Sequence, residues 1–371
     1  MPRLTYSKIL SRVEAISNVT SQDDLIKDGI QMGLDRATIA DLPYLMNEGV
    51  ITTVAPYETG TVTVSDGSKT VTGLLTVFTL AMVGRKIRIG GENAYYRIGA
   101  YVSGTEVTLE IAYRGDLTSG NTFSIYKDEY RLPANLDVYK VLRQIENNQA
   151  ITDLEQSAFD IYEPSPQRTG SPAFSILSGS KQDIYTTGTV TGSVNTSALT
   201  GLTTAWLSVE GLGKCSRLTI GSNVYTVKSV DSDTAITIYE KLVVDVAAAT
   251  YIISLDNYVI QFFPIPDKAR NIYFRYQRMP ELLINDQDVP DLPEKYHYIL
   301  ITAGLIWAWM TKDKDEATKQ ESLFAAQVQQ MWKRIGNVAR NISFPRASQD
   351  NIGIRQRYNP DYSVPIPYSR R

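Results

Sequence analysis

The sequence predicts an α+β chain. Helices at the two ends form a core (N-terminal helices plus a C-terminal antiparallel helical hairpin) that carries two homologous inserted all-β domains, and an extended C-terminal tail follows. Three observations predict this. A threonine-rich, strand-forming segment occurs twice, the sequence flanking the two copies has helical apolar spacing, and the last thirty residues have neither period.

The repeat is the strongest signal. Gly60-Thr61-Val62-Thr63 recurs as Gly188-Thr189-Val190-Thr191, and the shift of 128 then holds without a gap to Phe78 and Trp206. Identities fall at positions 60–63, 65, 72–74 and 76. After small insertions Tyr96 matches Tyr225, and Val107-Thr108-Leu109 matches Ile236-Thr237-Ile238; Asp128 and Tyr130 return to the original shift as Asp256 and Tyr258. Both copies alternate β-formers between Gly, Asn, Asp and Ser turns, which predicts five or six short strands in a small sandwich or partly open barrel. Gly90-Gly91 with Asn93, and Gly221 with Asn223, sit at matching turns where positive φ is cheap.

The flanks are read as helices. Over residues 4–17, Ile9, Val13 and Ile16 form an amphipathic stripe, and a second helix carries Ile26, Ile30, Leu34 and Ala37 on one side. Residues 134–163 are read as a mostly polar helical stretch, followed by the linker Glu-Pro-Ser-Pro-Gln-Arg-Thr-Gly-Ser-Pro. Asp291-Leu292-Pro293 opens a helix to about Met310, and a second runs from about Asp315 to Ile335. The short connection between them predicts an antiparallel hairpin. The first of this pair is apolar almost all round, and such a helix must be covered on every side. A neighbouring subunit is a natural cover, so Ile299, Ile301, Leu305, Trp307 and Trp309 are expected at a subunit interface; burial within the chain's own bundle is the alternative. The expected units are therefore 1–59 (helical), 60–133 (first β-domain), 134–187 (helical segment and linker), 188–266 (second β-domain), 267–340 (helical hairpin) and 341–371 (tail).

Chemistry is thinly represented. One cysteine (Cys215) and one histidine (His297) exclude intrachain disulfides, cysteine-cluster metal sites and most histidine-based catalysis. Gly211-Leu212-Gly213-Lys214-Cys215-Ser216 lacks the spacing of a phosphate loop. Asn285, Asp286, Asp288, Asp291 and Glu294 miss the EF-hand pattern and are read as turn and cap residues. Asp231-Ser232-Asp233 is read as a hairpin turn, and His297 as a core or interface residue. The chain is read as a non-enzyme without cofactor or metal. A net charge of −3 (37 Lys plus Arg against 40 Asp plus Glu) disfavours general nucleic-acid binding. The apolar run from Ile299 to Met310 is shorter than the roughly 20 residues a bilayer needs, and the N-terminus lacks a secretory signal, so a soluble protein is expected.

The tail differs in kind. Arg340, Arg346, Arg355, Arg357, Arg370 and Arg371 stand against only Asp350 and Asp361. Phe344, Tyr358, Tyr362 and Tyr368 are interleaved with Pro345, Pro360, Pro365 and Pro367. Such a segment cannot build a core alone, yet Arg and Tyr are characteristic interface anchors.

The order of segments resembles a known family. GVITTVAPYETGTVTVSDGSKTVTG, MVGRKIRI and YKDEYRLP, then FFPIP and YFRYQRMPELLINDQDVPDLPEKYHYILITAG with a closing helix, resemble the head-to-tail adaptor (head-completion or connector) proteins of short-tailed bacteriophages. The resemblance covers essentially the whole chain. It implies a structural protein of the virion neck, assembled from the host cytoplasm as a dodecameric homo-oligomer beneath the portal protein. It also implies a DNA channel passing DNA without specific binding, a platform for the tail nozzle protein and for tail fibres, a role in genome ejection, and no membrane. The tail would then dock on the portal through Arg355, Arg357, Tyr358, Pro360, Tyr362, Pro365, Pro367, Tyr368, Arg370 and Arg371. A tail-fibre, collar or glycan-binding protein using the β-domains as binding modules is the alternative. A wall-degrading enzyme is a further rival with no motif behind it.

Overall fold

The computed structural model describes residues 4–19, 23–40, 42–116, 118–144, 149–157, 159, 168–310 and 312–341. Two helices, α1 (Tyr6–Ser17) and α2 (Asp23–Thr38), lead into β1 (Met46–Thr52). The first repeat supplies β2 (Thr61–Val64), β3 (Thr70–Leu74), β4 (Lys86–Ile89), β5 (Tyr96–Ser103), β6 (Glu106–Leu109), β7 (Thr118–Asn121) and β8 (Phe123–Tyr126). Then come β9 (Glu129–Arg131), β10 (Leu136–Gln144), β11 (Gln149–Leu154), β12 (Thr169–Gly170) and β13 (Phe174–Tyr185). The second repeat supplies β14 (Thr189–Gly192), β15 (Ala198–Leu202), β16 (Arg217–Ile220), β17 (Asn223–Ser232), β18 (Ala235–Ile238), β19 (Val246–Ala249) and the long β20 (Tyr251–Phe263). Finally, β21 (Ile265–Pro266) and β22 (Asn271–Arg278) precede α3 (Tyr298–Met310) and α4 (Lys314–Asn341).

The two repeats have the same topology. Strand order is β7-β2-β3-β6-β5-β4-β8 in the first and β19-β14-β15-β18-β17-β16-β20 in the second. In each, the strands at the two ends of that order are consecutive in sequence, parted only by Thr122 or Thr250, so one nearly continuous strand closes each sheet into a small barrel. Register is preserved as well: Thr61 opposes Leu74 as Thr189 opposes Leu202. Each barrel has its own apolar core, and its plug is an aromatic trio at equivalent positions, Tyr57/Phe78/Phe123 and Tyr185/Trp206/Tyr251. The first member of each trio receives a backbone N–H, from Val77 to Tyr57 Oη (2.6 Å) and from Ala205 to Tyr185 Oη (3.0 Å).

A helical core with inserted β-domains is not what the chain builds. Among the described residues the fold is mostly β, 39% strand against 25% helix, with four α-helices and several large sheets. Strands β1, β22, β10, β11 and β13 form a further sheet that runs without a break through β20 into the second barrel. The stretch read as helix from residue 134 is where the reading fails first. Its Leu, Lys, Arg and Gln content favours a helix only weakly, whereas β22 (Asn-Ile-Tyr-Phe-Arg-Tyr-Gln-Arg) offers a strong edge that pairs β10 from Leu136/Arg278 to Gln144/Ile272. Tertiary pairing overrides a modest local preference. The core beneath includes Ile51, Leu132, Ile260, Phe262, Ile272 and Phe274.

The helices instead form one layer around α3. Its apolar circumference is covered by α1, α2 and α4 of the same chain. Small residues permit the approach: a Cβ on Gly33 would stand 2.2 Å from Ala303 Cβ, and one on Gly29 2.2 Å from Trp307 Cδ1. The layer is tied to the sheet by Gln277, whose buried Nε2 donates to Thr38 O (3.0 Å) and Ala40 O (3.2 Å) at the end of α2.

Candidate functional site

The two barrels meet at a polar cleft built from homologous segments. The strand leaving the first barrel, β9, pairs antiparallel with its counterpart leaving the second, β20, from Val259/Arg131 to Gln261/Glu129. Ion pairs cement this contact. Lys86 Nζ, buried, lies 2.8 Å from Asp128 Oδ2 and 2.9 Å from Glu129 Oε1. Arg97 reaches Glu129 Oε2 (3.1 Å) and donates to Gly84 O (3.0 Å). Across the junction, Gln261 Nε2 donates to Asp128 Oδ2 (2.8 Å), Lys127 pairs with Glu210, and Arg131 binds Asp183 (3.1 Å) and Lys181 O (2.9 Å). Burial opposes the charge on Lys86, but Asp128 and Glu129 outweigh it and hold its pKa well above the ordinary lysine value. Burial likewise opposes the charge on Glu129, and Lys86 and Arg97 reverse that, lowering its pKa. The phenol of Tyr126 is pushed up to about 12 by burial and then by Asp128. Chemically this network fixes two domains; no nucleophile–base pair is among its contacts.

The second surface is helical. α2 exposes Leu25 and Met32, and Ile39 follows just past its end; these lie at seven-residue spacing with exposed Asp28 and Asp35 between them and Asp24 at the start. α1 exposes Lys8, Arg12, Ala15 and Ile16. One outer face is acidic and apolar, the other basic and apolar.

The residues singled out in the sequence fall as follows. Ile299 and Leu305 are buried in the helical layer; Ile301, Trp307 and Trp309 are half-buried against it. The tail residues Arg355, Arg357, Tyr358, Pro360, Tyr362, Pro365, Pro367, Tyr368, Arg370 and Arg371 lie outside the described residues. His297 is buried, with Nδ1 accepting from Leu4 N–H (3.3 Å) and Nε2 2.8 Å from Leu292 O, which fits the neutral Nε2–H tautomer. Asp291 pairs in two-pronged fashion with Arg278 (2.6 and 3.0 Å), and Asp288 Oδ2 accepts from Ile284 and Asn285 N–H (2.9 and 2.7 Å). Lys214 pairs with Glu281 rather than cradling a phosphate. Among the described residues no helix is long and apolar enough to cross a membrane.

Residues 181–350 match a family model described as SU10 adaptor protein. This match, over fewer than half of the residues, supports a phage head-to-tail adaptor protein. No curated protein matches it. The matched segment starts in β13 and takes in the second barrel, β22 and the helices α3 and α4; the first barrel, α1 and α2 precede it. An adaptor is a structural component of the virion that interacts with other phage structural proteins. Sequence reasoning missed both surfaces. The cleft residues are scattered from Lys86 to Gln261 and meet only through the β9–β20 pairing, while the α2 stripe was hidden behind the stronger apolar face of the same helix.

Proposed function

We propose that the adaptor assembles as a ring beneath the portal, extends the DNA channel, and presents a platform to the tail nozzle and to fibres. The observation that carries this reading is the pair of complementary outer helix faces. Two different faces of one chain that match each other make a head-to-tail contact, and such contacts close into rings when the rotation permits. Leu25, Met32 and Ile39 on one copy meet Ile16 and Ala15 on the next, with Asp28 and Asp35 facing Lys8 and Arg12. The apolar stripe gives the area and the charges give register. The arginine- and tyrosine-rich tail beyond Asn341 docks on the portal, where Arg355, Arg357 and Tyr358 to Arg371 act as anchors. The chain's weak negative charge suits a conduit to which DNA must not stick.

Two experiments test this. Asp28→Lys with Asp35→Lys leaves the circular dichroism of the monomer unchanged but prevents a closed collar on isolated portal rings in electron micrographs, and Lys8→Glu with Arg12→Glu in the same chain restores it. A collar formed by the first double variant as readily as by the parent overturns the interface. Truncation after Asn341 leaves a folded protein that no longer cosediments with portal rings; undiminished cosedimentation overturns the docking role.

A further inference from the structure

The outer edge of β1 carries one more inference, independent of ring assembly. On one side β1 pairs with β22, and no strand of the described residues pairs with the other. Thr53 N–H donates to Arg270 O (2.9 Å), which sets the alternation of this ladder. Asn47, Gly49 and Ile51 are bonded to β22, and the backbone groups of Glu48, Val50 and Thr52 point away from it. Asn47 Oδ1 takes the Glu48 N–H (3.0 Å). Among the described residues, the N–H groups of Val50 and Thr52 have no partner. Such an edge is a template for one more strand.

A groove of about 480 Å³ runs beside it, lined by Val50, Ile51 and Thr52 together with Leu207, Leu212 and Phe274. Leu207 is 63% exposed and Val50 51%, so apolar surface flanks the unpaired backbone. Side chains alternate along β1: Ile51 faces the buried core, and Glu48, Val50 and Thr52 face the other way. Glu48 is exposed and has no ion pair among the described residues. Arg275 stands across from it on β22, two strand spacings (about 10 Å) from any strand added at the edge.

The chain beyond α4 supplies a strand that fits and reaches. Between Pro345 and Pro360 the tail has no proline, and within that stretch Ile352, Ile354 and Tyr358 alternate with Gly353, Arg355 and Arg357. Trp332 Nε1 donates to Ala37 O (2.8 Å), and Gln277, which opposes Met46 at the start of β1, donates to Thr38 O and Ala40 O. α4 therefore passes the start of β1 and ends at Asn341. Its remaining turns cover about 14 Å, and the ten residues 342–351 span up to roughly 33 Å, so the chain can return to the edge whichever way those turns lead.

We infer that residues 352–358 add to the free edge of β1 of their own chain as a further strand, with Ile352, Ile354 and Tyr358 toward the groove and Arg355 and Arg357 toward Glu48. Before assembly this stores the anchors that the portal would later claim; the storage role rests on the portal reading, and the pairing does not.

The test uses the full chain without portal, so its outcome is separate from cosedimentation with portal rings. Hydrogen exchange is read residue by residue by electron-transfer fragmentation. The amides of Val50 and Thr52 should exchange about ten-fold more slowly in the parent than in Gly353→Pro with Ile354→Pro, which cannot pair as a strand. The amide of Ile51, bonded to β22, should be unchanged, which shows that β1 itself is intact. Both substitutions fall outside the elements of the fold. Equal rates for Val50 and Thr52 in parent and variant overturn the inference. Protection that fades on dilution also overturns it, since the strand would then come from a second copy.

Discussion

At the scale of single residues, the repeated motif is explained atom by atom. Gly60 and Gly188 have φ of +91° and +85°, and a Cβ on either would lie 2.4 Å from the carbonyl oxygen of Leu74 or Leu202. Gly73 and Gly201 press on the hydroxyls of Thr76 and Thr204, which donate to Gly104 O and Asp233 O. Gly188→Ala should therefore destabilise by about 2 kcal/mol or more in chemical denaturation, because both the dihedral and the space are wrong. Leu75 gives the opposite case. It adopts φ 58° with its side chain 81% exposed, a strained conformation without compensating burial. Leu75→Asn should raise stability by about 0.5–1 kcal/mol, read as an upward shift in Tm. These positions were legible because geometry that admits so few residue types leaves the same letters in both copies. The tyrosines that accept from the backbone next to this motif, Tyr57 from Val77 and Tyr185 from Ala205, were not, since they lie before the stretch where identity is dense.

At the scale of elements, the helices were legible and the central sheet was not. An amphipathic stripe marks its own helix, as Ile9 and Val13 do in α1 and Phe324, Val328 and Met331 in α4. Strand β10 has no such private signal, because its pairing depends on β22, some 130 residues away. The close crossing of α2 and α3 was also invisible, although its cause is plain in Gly29 and Gly33. Gly33→Ala gains helix propensity but drives a methyl into Ala303, so a net loss of about 1–3 kcal/mol is expected in thermal unfolding.

At the scale of the whole molecule, the junction joins the barrels by charge as much as by sheet. Lys86→Met leaves Asp128 buried with Gln261 as its side-chain partner among the described residues and should cost about 3–5 kcal/mol, far beyond the loss of a surface pair. Acid should act on the same place. Glu129 has a pKa lowered below the ordinary value of 4.5, so its contribution is complete above pH 4.5 and is lost as pH falls through the folded value. Hydrogen exchange should show the amides of β9 losing protection in acid before those of the barrel cores around Val62 and Val190. Simultaneous loss in all three places would mean that the junction is not the acid-labile contact.

The unequal attachment of the two barrels has a mechanical consequence. The second barrel continues through β20 into ladder contacts with β13 from Phe174 to Tyr185, so tension along that strand shears many hydrogen bonds at once. The first is held by the short run at Arg131 to Glu129 and by the ion pairs of the junction. Under a pulling force the first barrel should peel away early while its twin stays anchored, giving the duplicated pair one yielding member and one rigid one.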